Sequence, residues 1–98
     1  MGETDDFEWD DAKDAANREK HGLPLIIGRR LFDGRPRLDR ASHKSRYEEP
    51  RFETIAYYQG TMLLCVWVWR GKRRRAISLR PAERKERDAY EKATRRGR

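Results

Sequence analysis

A chain of 98 residues with 42% charged and 36% hydrophobic side chains is long enough for one small domain, whose core must come from a few apolar runs. Its formal net charge is +7, its N-terminus lacks a signal-peptide pattern, and its apolar runs fall well short of the roughly 18 residues of a membrane span, so we expect no membrane protein. The single Cys65 excludes an intramolecular disulfide and predicts a buried thiol in a cytoplasmic protein.

The charge is distributed unevenly along the chain. Residues 1–14 carry seven acidic side chains against one lysine, a balance of −6, whereas residues 71–98 carry twelve Lys and Arg against four acidic side chains, a balance of +8. A basic half of this density attracts polyanions. Nucleic acid is the expected partner, although an acidic protein or a merely solvated surface also fits the charge alone.

The N-terminal third predicts a short strand and two helices. Phe7–Trp9 alternates apolar and polar residues, as strands do. Asp10 or Asp11 can cap a helix over Ala12–His21, which then meets a glycine at a position that ends helices. A second helix is expected over Leu25–Phe32, after a proline suited to a first helical turn.

The rest of the chain predicts an antiparallel meander and a closing helix. The segment Leu38–Pro50 is polar and is expected to be an exposed connection with room for one edge strand. Apolar runs then predict strands at Phe52–Tyr58, Met62–Trp69 and Arg73–Arg80, followed by a charged helix over Ala82–Thr94. We therefore predict a single α+β domain over residues 1–98, with an antiparallel sheet, two N-terminal helices, one C-terminal helix, and frayed tails at residues 1–6 and 95–98.

Two faces are predicted for the strand that contains the basic run. Strict alternation puts Arg73 and Arg75 on one face, and Arg74, Ser78 and Arg80 on the other. The Ser78 and Arg80 face is the more polar one and is expected to be functional. Arg75 and Arg80 then point to opposite faces unless a β-bulge re-aims one of them. For the run Arg73 to Arg75, a solvated turn is as good an interpretation as RNA contact.

The side chains that could carry chemistry are basic groups and a few carboxylates. We predict neither a metal site nor a cofactor, because the chain has two histidines and no Gly-rich phosphate loop. This inventory suits cleavage of RNA by attack of its 2′-hydroxyl, which needs a proton acceptor, stabilisation of the charged phosphorane and a proton donor. The candidates for phosphorane stabilisation are Arg75, Arg80 and Arg51, and those for proton transfer are His21, Glu49 and Lys20. A lone histidine at a helix end is more often a cap or a surface group.

Several motifs, taken together, resemble one family. The segments Phe7-Glu-Trp-Asp10, Lys13, Asn17 and Lys20-His-Gly22 look like the opening signature of the BrnT toxins, small ribonucleases of type II toxin–antitoxin systems. Glu49-x-Arg51-Phe52 is similar to the family's E-x-R segment. Arg75-x-Ile-Ser-x-Arg80 and Glu86-Arg87-x-Ala89-Tyr90-Glu91 resemble its later strand and closing helix.

The resemblance implies a RelE-like fold with a curved antiparallel sheet, and RNA cleavage without a metal. It also implies neutralisation by a BrnA-like ribbon-helix-helix antitoxin, in a heterotetramer formed through an antitoxin dimer. The catalytic candidates carried over by position are Lys20, His21, Glu49, Arg51, Arg75 and Arg80, and the RNA-binding candidates are Lys13, Arg73, Arg74 and Ser78. The alternative is a family member that has lost activity and serves as a partner-binding or nucleic-acid-binding module.

Overall fold

A computed structural model describes residues 1–42 and 49–95 of the protein. The predicted connection is therefore described only in part, and His43 lies outside the described residues. In chain order the elements are β1 (Gly2–Glu3), β2 (Phe7–Trp9), α1 (Asp11–His21), a 3₁₀ helix (Leu25–Phe32), β3 (Leu38–Ala41), β4 (Phe52–Tyr58), β5 (Thr61–Arg70), β6 (Arg73–Pro81) and α2 (Arg84–Arg95). Within these residues, no helix has the length and apolar character needed to cross a membrane.

The six strands form one mixed sheet in the order β1-β2-β6-β5-β4-β3. Neighbouring strands are antiparallel except for β2 and β6, which are parallel. The prediction of a purely antiparallel sheet was therefore wrong. Local turns fix the direction of β4, β5 and β6, but β2 is separated from β6 by most of the chain, so no tight turn forces that pair to run antiparallel.

The N-terminus differs from the frayed tail predicted for residues 1–6. Gly2 pairs with Trp9, and Glu3 pairs with Glu8, which makes β1 an edge strand. The Trp9 ring lies directly over Gly2, where a Cβ atom would overlap it. A glycine at this position thus lets the aromatic ring pack flat against the edge of the sheet.

The first two helical segments follow from local signals. Asp10 caps α1 by accepting a hydrogen bond from the backbone N–H of Lys13 at 3.0 Å, and Gly22 ends the helix with a left-handed φ of 70°. The second segment is helical over the predicted range, Leu25–Phe32, and is a 3₁₀ helix. Its Gly28 lies so close to the sheet that a Cβ atom there would be 3.0 Å from the Cys65 sulfur. The tight approach favours a narrower helix that glycine permits.

The 3₁₀ helix and α1 cover one side of the sheet, which we call the helix-covered side. Its buried core contains Phe7, Leu25, Leu31, Ala56, Leu63, Cys65, Trp67, Ala76 and Leu79. Cys65 is fully buried, as predicted, and burial raises the pKa of its thiol to about 12. On the opposite side α2 covers only one end of the sheet, through Ile55, Met62, Leu64, Ala82 and Tyr90.

A β-bulge in β6 decides which side its arginines occupy. Val66 pairs with Ser78, but the next residue of β5, Trp67, pairs with Ala76, so Ile77 is an extra residue. The bulge reverses the alternation beyond this point. The predicted division of β6 into two faces was therefore wrong, and Arg75 lies on the same side as Ser78 and Arg80.

Asn17 links α1 to the same strand. Its side-chain amide donates to the backbone carbonyls of Leu79 and Leu23, both at 2.8 Å, and its carbonyl accepts from the backbone N–H of Leu79 at 3.0 Å. β2 pairs with β6 only as far as Ala76. The buried Asn17 side chain therefore provides the hydrogen bonds that a neighbouring strand would otherwise make at Leu79.

Candidate nucleic-acid interface

A row of arginines occupies the side of the sheet that faces away from α1, beyond the part covered by α2. We call this surface the arginine face. Strand register and side-chain alternation place these residues on it: Arg40, Arg51, Glu53, Val66, Arg70, Arg73, Arg75, Ser78 and Arg80. The bulge is what brings the two ends of β6 onto one surface.

Most of these arginines are paired with glutamates. The nitrogen–oxygen distances are 2.8 Å for Arg40–Glu53, 2.9 Å for Arg70–Glu49, 3.2 Å for Arg73–Glu3, 3.6 Å for Arg75–Glu8 and 2.7 Å for Arg80–Glu86. The surface is thus a lattice of opposite charges and not the uncompensated basic patch that the net charge suggests. A phosphate that docks here must compete with carboxylates for the guanidinium groups.

Arg80 lies where the arginine face meets α2. Its guanidinium donates two hydrogen bonds to Glu86, both 2.7 Å long, and Glu86 also accepts from the backbone N–H of Glu83 at 2.7 Å. The hydrogen bond from Arg80 holds the pKa of Glu86 below its ordinary value, and the same hydrogen bond raises the pKa of Arg80. Arg80 is therefore held rigidly, with its charge balanced in the present arrangement.

Arg75 is held more loosely, at 3.6 Å from Glu8. It pairs across the sheet with Val68, a residue of β5 that is only 1% exposed. Continuing the β4 register by one residue places Arg51 on the other side of Val68. Two strand spacings separate the Cα atoms of Arg51 and Arg75 by about 10 Å, and two side chains of that length can both reach one phosphate between them.

Two buried carboxylates on this face were missed by the sequence analysis. Glu8 is 7% exposed and Glu53 is 4% exposed, so both lie beneath the arginines that they pair with. The sequence does contain a signal for them. Each glutamate directly follows a phenylalanine of the helix-covered side, and because successive residues of a strand point to opposite faces, each glutamate points to the arginine face. A carboxylate that is shielded from water beside arginines is a candidate proton acceptor.

His21 and Lys20 lie at the C-terminal end of α1. His21 lines a small cavity of about 300 Å³ together with Leu23, Ile27, Tyr58, Gln59, Thr61, Leu63 and Pro81. Burial lowers the pKa of His21, and the positive charges of Lys20 and Arg80 lower it further. His21 is therefore close enough to Arg80 for the charge of Arg80 to affect its pKa. Lys20 is exposed.

The predicted site residues do not all meet at one point. Arg80 lies opposite Leu64 in the register of β5 and β6. Glu49 forms an ion pair with Arg70, which lies near the β5–β6 turn. Six residues of β5 separate these positions, a distance of about 20 Å. Glu49 and His21 are therefore at opposite ends of the sheet. Lys13 is exposed near the start of α1, and Arg74 lies among aromatic rings on the helix-covered side.

The model of the family described as "Ribonuclease toxin, BrnT, of type II toxin-antitoxin system" matches residues 9–86. The chain belongs to the BrnT family. No curated protein matches the chain. The BrnT match begins at the end of β2 and ends at Glu86, so it includes every arginine of the arginine face. Membership makes the protein a ribonuclease toxin of a type II toxin–antitoxin system, with RNA as its target and an antitoxin as its partner.

Proposed function

We propose that the protein is a metal-independent endoribonuclease whose active site is the centre of the arginine face. The observation that carries this proposal is the bulge at Ile77, because it brings Arg75, Ser78 and Arg80 to one side of the sheet. The centre of that surface is Val66 with Ser78 beside it, and Glu53 lies on the other side of Val66. Four arginines surround this point in the register: Arg40, Arg51, Arg75 and Arg80.

A scissile phosphate over Val66 would meet a proton acceptor and two arginines that can stabilise the phosphorane, and water would supply the remaining proton. Glu53 takes the proton from the 2′-hydroxyl, whose oxygen forms a bond to phosphorus. Arg75 and Arg80 donate hydrogen bonds to the phosphorane, whose charge is greater than that of the starting diester. The bond from phosphorus to the 5′-oxygen breaks, and that oxygen takes a proton from water. The hydroxide left behind is neutralised by the proton that Glu53 releases, which restores the carboxylate. The products are a 2′,3′-cyclic phosphate and a 5′-hydroxyl end.

Before RNA binds, the carboxylates of glutamates pair with the arginines that the proposal places around the phosphate. Glu8 positions Arg75, and Glu86 positions Arg80. Phosphate oxygens accept the same planar pattern of N–H donors as carboxylate oxygens do, so RNA can replace the contacts made by the glutamates. Because the bulge places Arg75 and Arg80 on the same side of the sheet, strand alternation gives no reason to prefer one over the other. We expect both to contribute.

The decisive experiment measures single-turnover cleavage of RNA by the purified full chain in EDTA. Loss of one donor to a developing oxyanion lowers the rate by about 10²–10³-fold, and we expect this for Arg75→Ala and Arg80→Ala. Glu53→Gln removes the proton acceptor and should lower the rate by about 10²–10⁴-fold. The matched control is Arg30→Ala, an exposed arginine of the 3₁₀ helix on the opposite side. Cleavage that EDTA abolishes would overturn the metal-free mechanism.

We further propose that the antitoxin is a BrnA-like ribbon-helix-helix protein that covers the arginine face, with an antitoxin dimer joining two toxins. We also propose that the fold is RelE-like, as the resemblance to the family implies. Carboxylates of an antitoxin would bind the same guanidinium groups as RNA does and so exclude it. Co-expression with the product of the adjacent reading frame should give a complex that no longer cleaves RNA. A product that neither binds nor inhibits would contradict this partner.

The rival function is a binding module without activity. The ion pairs on the arginine face favour this binding module, because five guanidinium groups already have carboxylate partners. The same EDTA assay decides between the two. A folded protein that binds RNA and leaves it intact at every enzyme concentration is a binding module.

A further inference from the structure

Trp69 is an exposed tryptophan at the end of the longest strand. It is 46% exposed, whereas Trp67, two residues earlier on the same side of β5, is 3% exposed. The two rings meet edge to face, with centroids 5.0 Å apart. Trp69 lies nearer the β5–β6 turn than Trp67, and nearly half of its surface remains exposed to solvent.

Arg74 lies beside this ring and differs from its neighbours. Its guanidinium carbon is 4.9 Å from the Trp69 ring centroid, 5.0 Å from that of Trp67 and 4.1 Å from that of Phe32. Arg73 and Arg75 each pair with a glutamate, but within the part of the chain that the structure describes Arg74 has no carboxylate at ion-pair distance. Its Nε atom is buried and makes no hydrogen bond.

Arg74 is partly buried among aromatic rings and lacks an ion-pair partner among the described residues. Desolvation lowers its pKa, and the positive charge of Arg37 lowers it further, while Asp39 and Asp6 act in the opposite direction from beyond ion-pair distance. The guanidinium carbon of Arg37 lies 5.1 Å from the centroid of the Phe32 ring, and Arg37 forms an ion pair with Asp39 at 2.9 Å. The patch therefore combines an exposed aromatic ring with a cation that has no ion-pair partner among the described residues.

This combination fits one kind of ligand especially well. A nucleotide has a flat base that stacks on tryptophan and a phosphate that accepts hydrogen bonds from arginine. An acidic peptide would pair with the charge of Arg74 but would leave the exposed Trp69 ring without a stacking partner. We propose that Trp69 and Arg74 form a nucleotide-stacking site for single-stranded RNA, on the side of the hairpin opposite the arginine face.

The site rests on the proposed function, because it binds the same substrate. Arg73 and Arg74 are consecutive residues of β6 and point to opposite sides of the sheet. A single strand of RNA that runs over the β5–β6 turn can therefore place phosphates on the arginine face and stack one of its bases on Trp69. The stacking site would hold a nucleotide outside the scissile position and contribute to binding more than to the chemical step.

The test is equilibrium binding of a 2′-O-methyl RNA, which cannot be cleaved, of about ten nucleotides, within the range of single-strand site sizes. The full chain is compared with Trp69→Ala, Trp69→Phe and the control Tyr57→Ala, which removes another exposed aromatic ring, 44% exposed, at the opposite end of the sheet. Loss of one stacked base should weaken binding roughly 5- to 150-fold for Trp69→Ala. Trp69→Phe should restore most of the affinity, and Tyr57→Ala should bind like the parent.

Two further measurements separate stacking from unfolding and from charge. With an oligomer of abasic sugar phosphates, Trp69→Ala and the parent should bind equally, because no base remains to stack. The dependence of log affinity on log salt should keep its slope in Trp69→Ala, whereas removing a phosphate contact reduces it. Equal loss of affinity on the abasic oligomer would overturn the stacking site.

The outcomes also distinguish this inference from the proposed function. If the parent cleaves RNA and Trp69→Ala binds the 2′-O-methyl RNA as tightly as the parent does, the stacking site is wrong and the ribonuclease remains. If Trp69→Ala leaves RNA binding intact but weakens the antitoxin complex, the patch is a protein interface and the proposal is overturned. If the parent binds no RNA, both proposals are wrong.

Discussion

The two sides of the sheet use buried polar groups in different ways. On the helix-covered side the indole N–H of Trp67 donates to the fully buried Thr54 hydroxyl at 2.9 Å, and that hydroxyl donates at 2.6 Å to Asp39, an exposed carboxylate on the edge strand β3. On the arginine face the buried groups are the carboxylates of Glu8 and Glu53, which lie beneath arginines. We infer that the first side provides stability, and the second provides groups that a ligand can re-pair.

The largest expected loss of stability comes from a cavity on the helix-covered side. Leu31 of the 3₁₀ helix is fully buried, and Leu31→Ala should lower the free energy of unfolding by about 2–5 kcal/mol. Ile26 of the same helix is only partly buried, so Ile26→Ala should cost less. Urea unfolding of both variants measures the difference. A smaller loss for Leu31→Ala than for Ile26→Ala would contradict the assignment of the core.

The next effect concerns the junction between α1 and β6. Asn17→Ala removes three hydrogen bonds and leaves the backbone N–H and carbonyl of Leu79 without partners. Unsatisfied buried groups of this kind cost about 1–3 kcal/mol. The exposed neighbour Arg18 provides the control, since Arg18→Ala should change stability by less than about 1 kcal/mol. Thermal or urea unfolding distinguishes the two, and equal losses would count against the structural role of Asn17.

A substitution on the arginine face should show the reverse behaviour. Ser78→Ala removes a half-buried hydroxyl from the centre of the proposed active site, so the free energy of unfolding should change by no more than about 0.5 kcal/mol. Loss of one hydrogen bond to the reacting phosphate should slow cleavage about tenfold. Paired measurements of unfolding and single-turnover cleavage test this. Full activity in Ser78→Ala would move the scissile phosphate away from this point.

The smallest expected effect is the pH dependence of the seam between α2 and β6. The hydrogen bond from Arg80 lowers the pKa of Glu86 below its ordinary 4.5. The stabilisation is therefore fully present above pH 4.5 and is lost as the pH falls through the lower pKa of the folded state. Glu86→Gln should lower stability slightly at pH 7 and should flatten its fall in acid. Parallel curves for the parent and Glu86→Gln would show that this ion pair adds nothing.

Features fixed by neighbouring residues could be predicted from the sequence. Asp10 and Gly22 mark the ends of α1, the Gln59–Gly60 turn has positive φ at both residues as a tight hairpin requires, and Gly71 reverses the chain between β5 and β6. The bounds of β4 agree with the prediction. These signals depend on conformations that few residue types adopt, so a short stretch of chain is enough to identify them.

Features fixed by distant residues could not be predicted in the same way. The parallel pairing of β2 with β6 and the bulge at Ile77 depend on which strands meet and in what register. The bulge had the greater consequence, because one extra residue moved Arg75 to the side of Arg80. The positions of Glu8 and Glu53 could be predicted from the alternation of side chains along β2 and β4, because each glutamate follows a phenylalanine of the core.

The hydrogen bonds of Asn17 also limit how this sheet can grow. Beyond Ala76, the edge of β6 faces α1, and Asn17 occupies the main-chain groups of Leu79 that a further strand would need. Strand addition at this position is therefore blocked by a single side chain. Among the described strands β1 and β3 are the outer ones, so a partner that extends the sheet through main-chain pairing would add to one of these two. β3 offers four residues and β1 only two, so β3 is the edge on which such an assembly would begin.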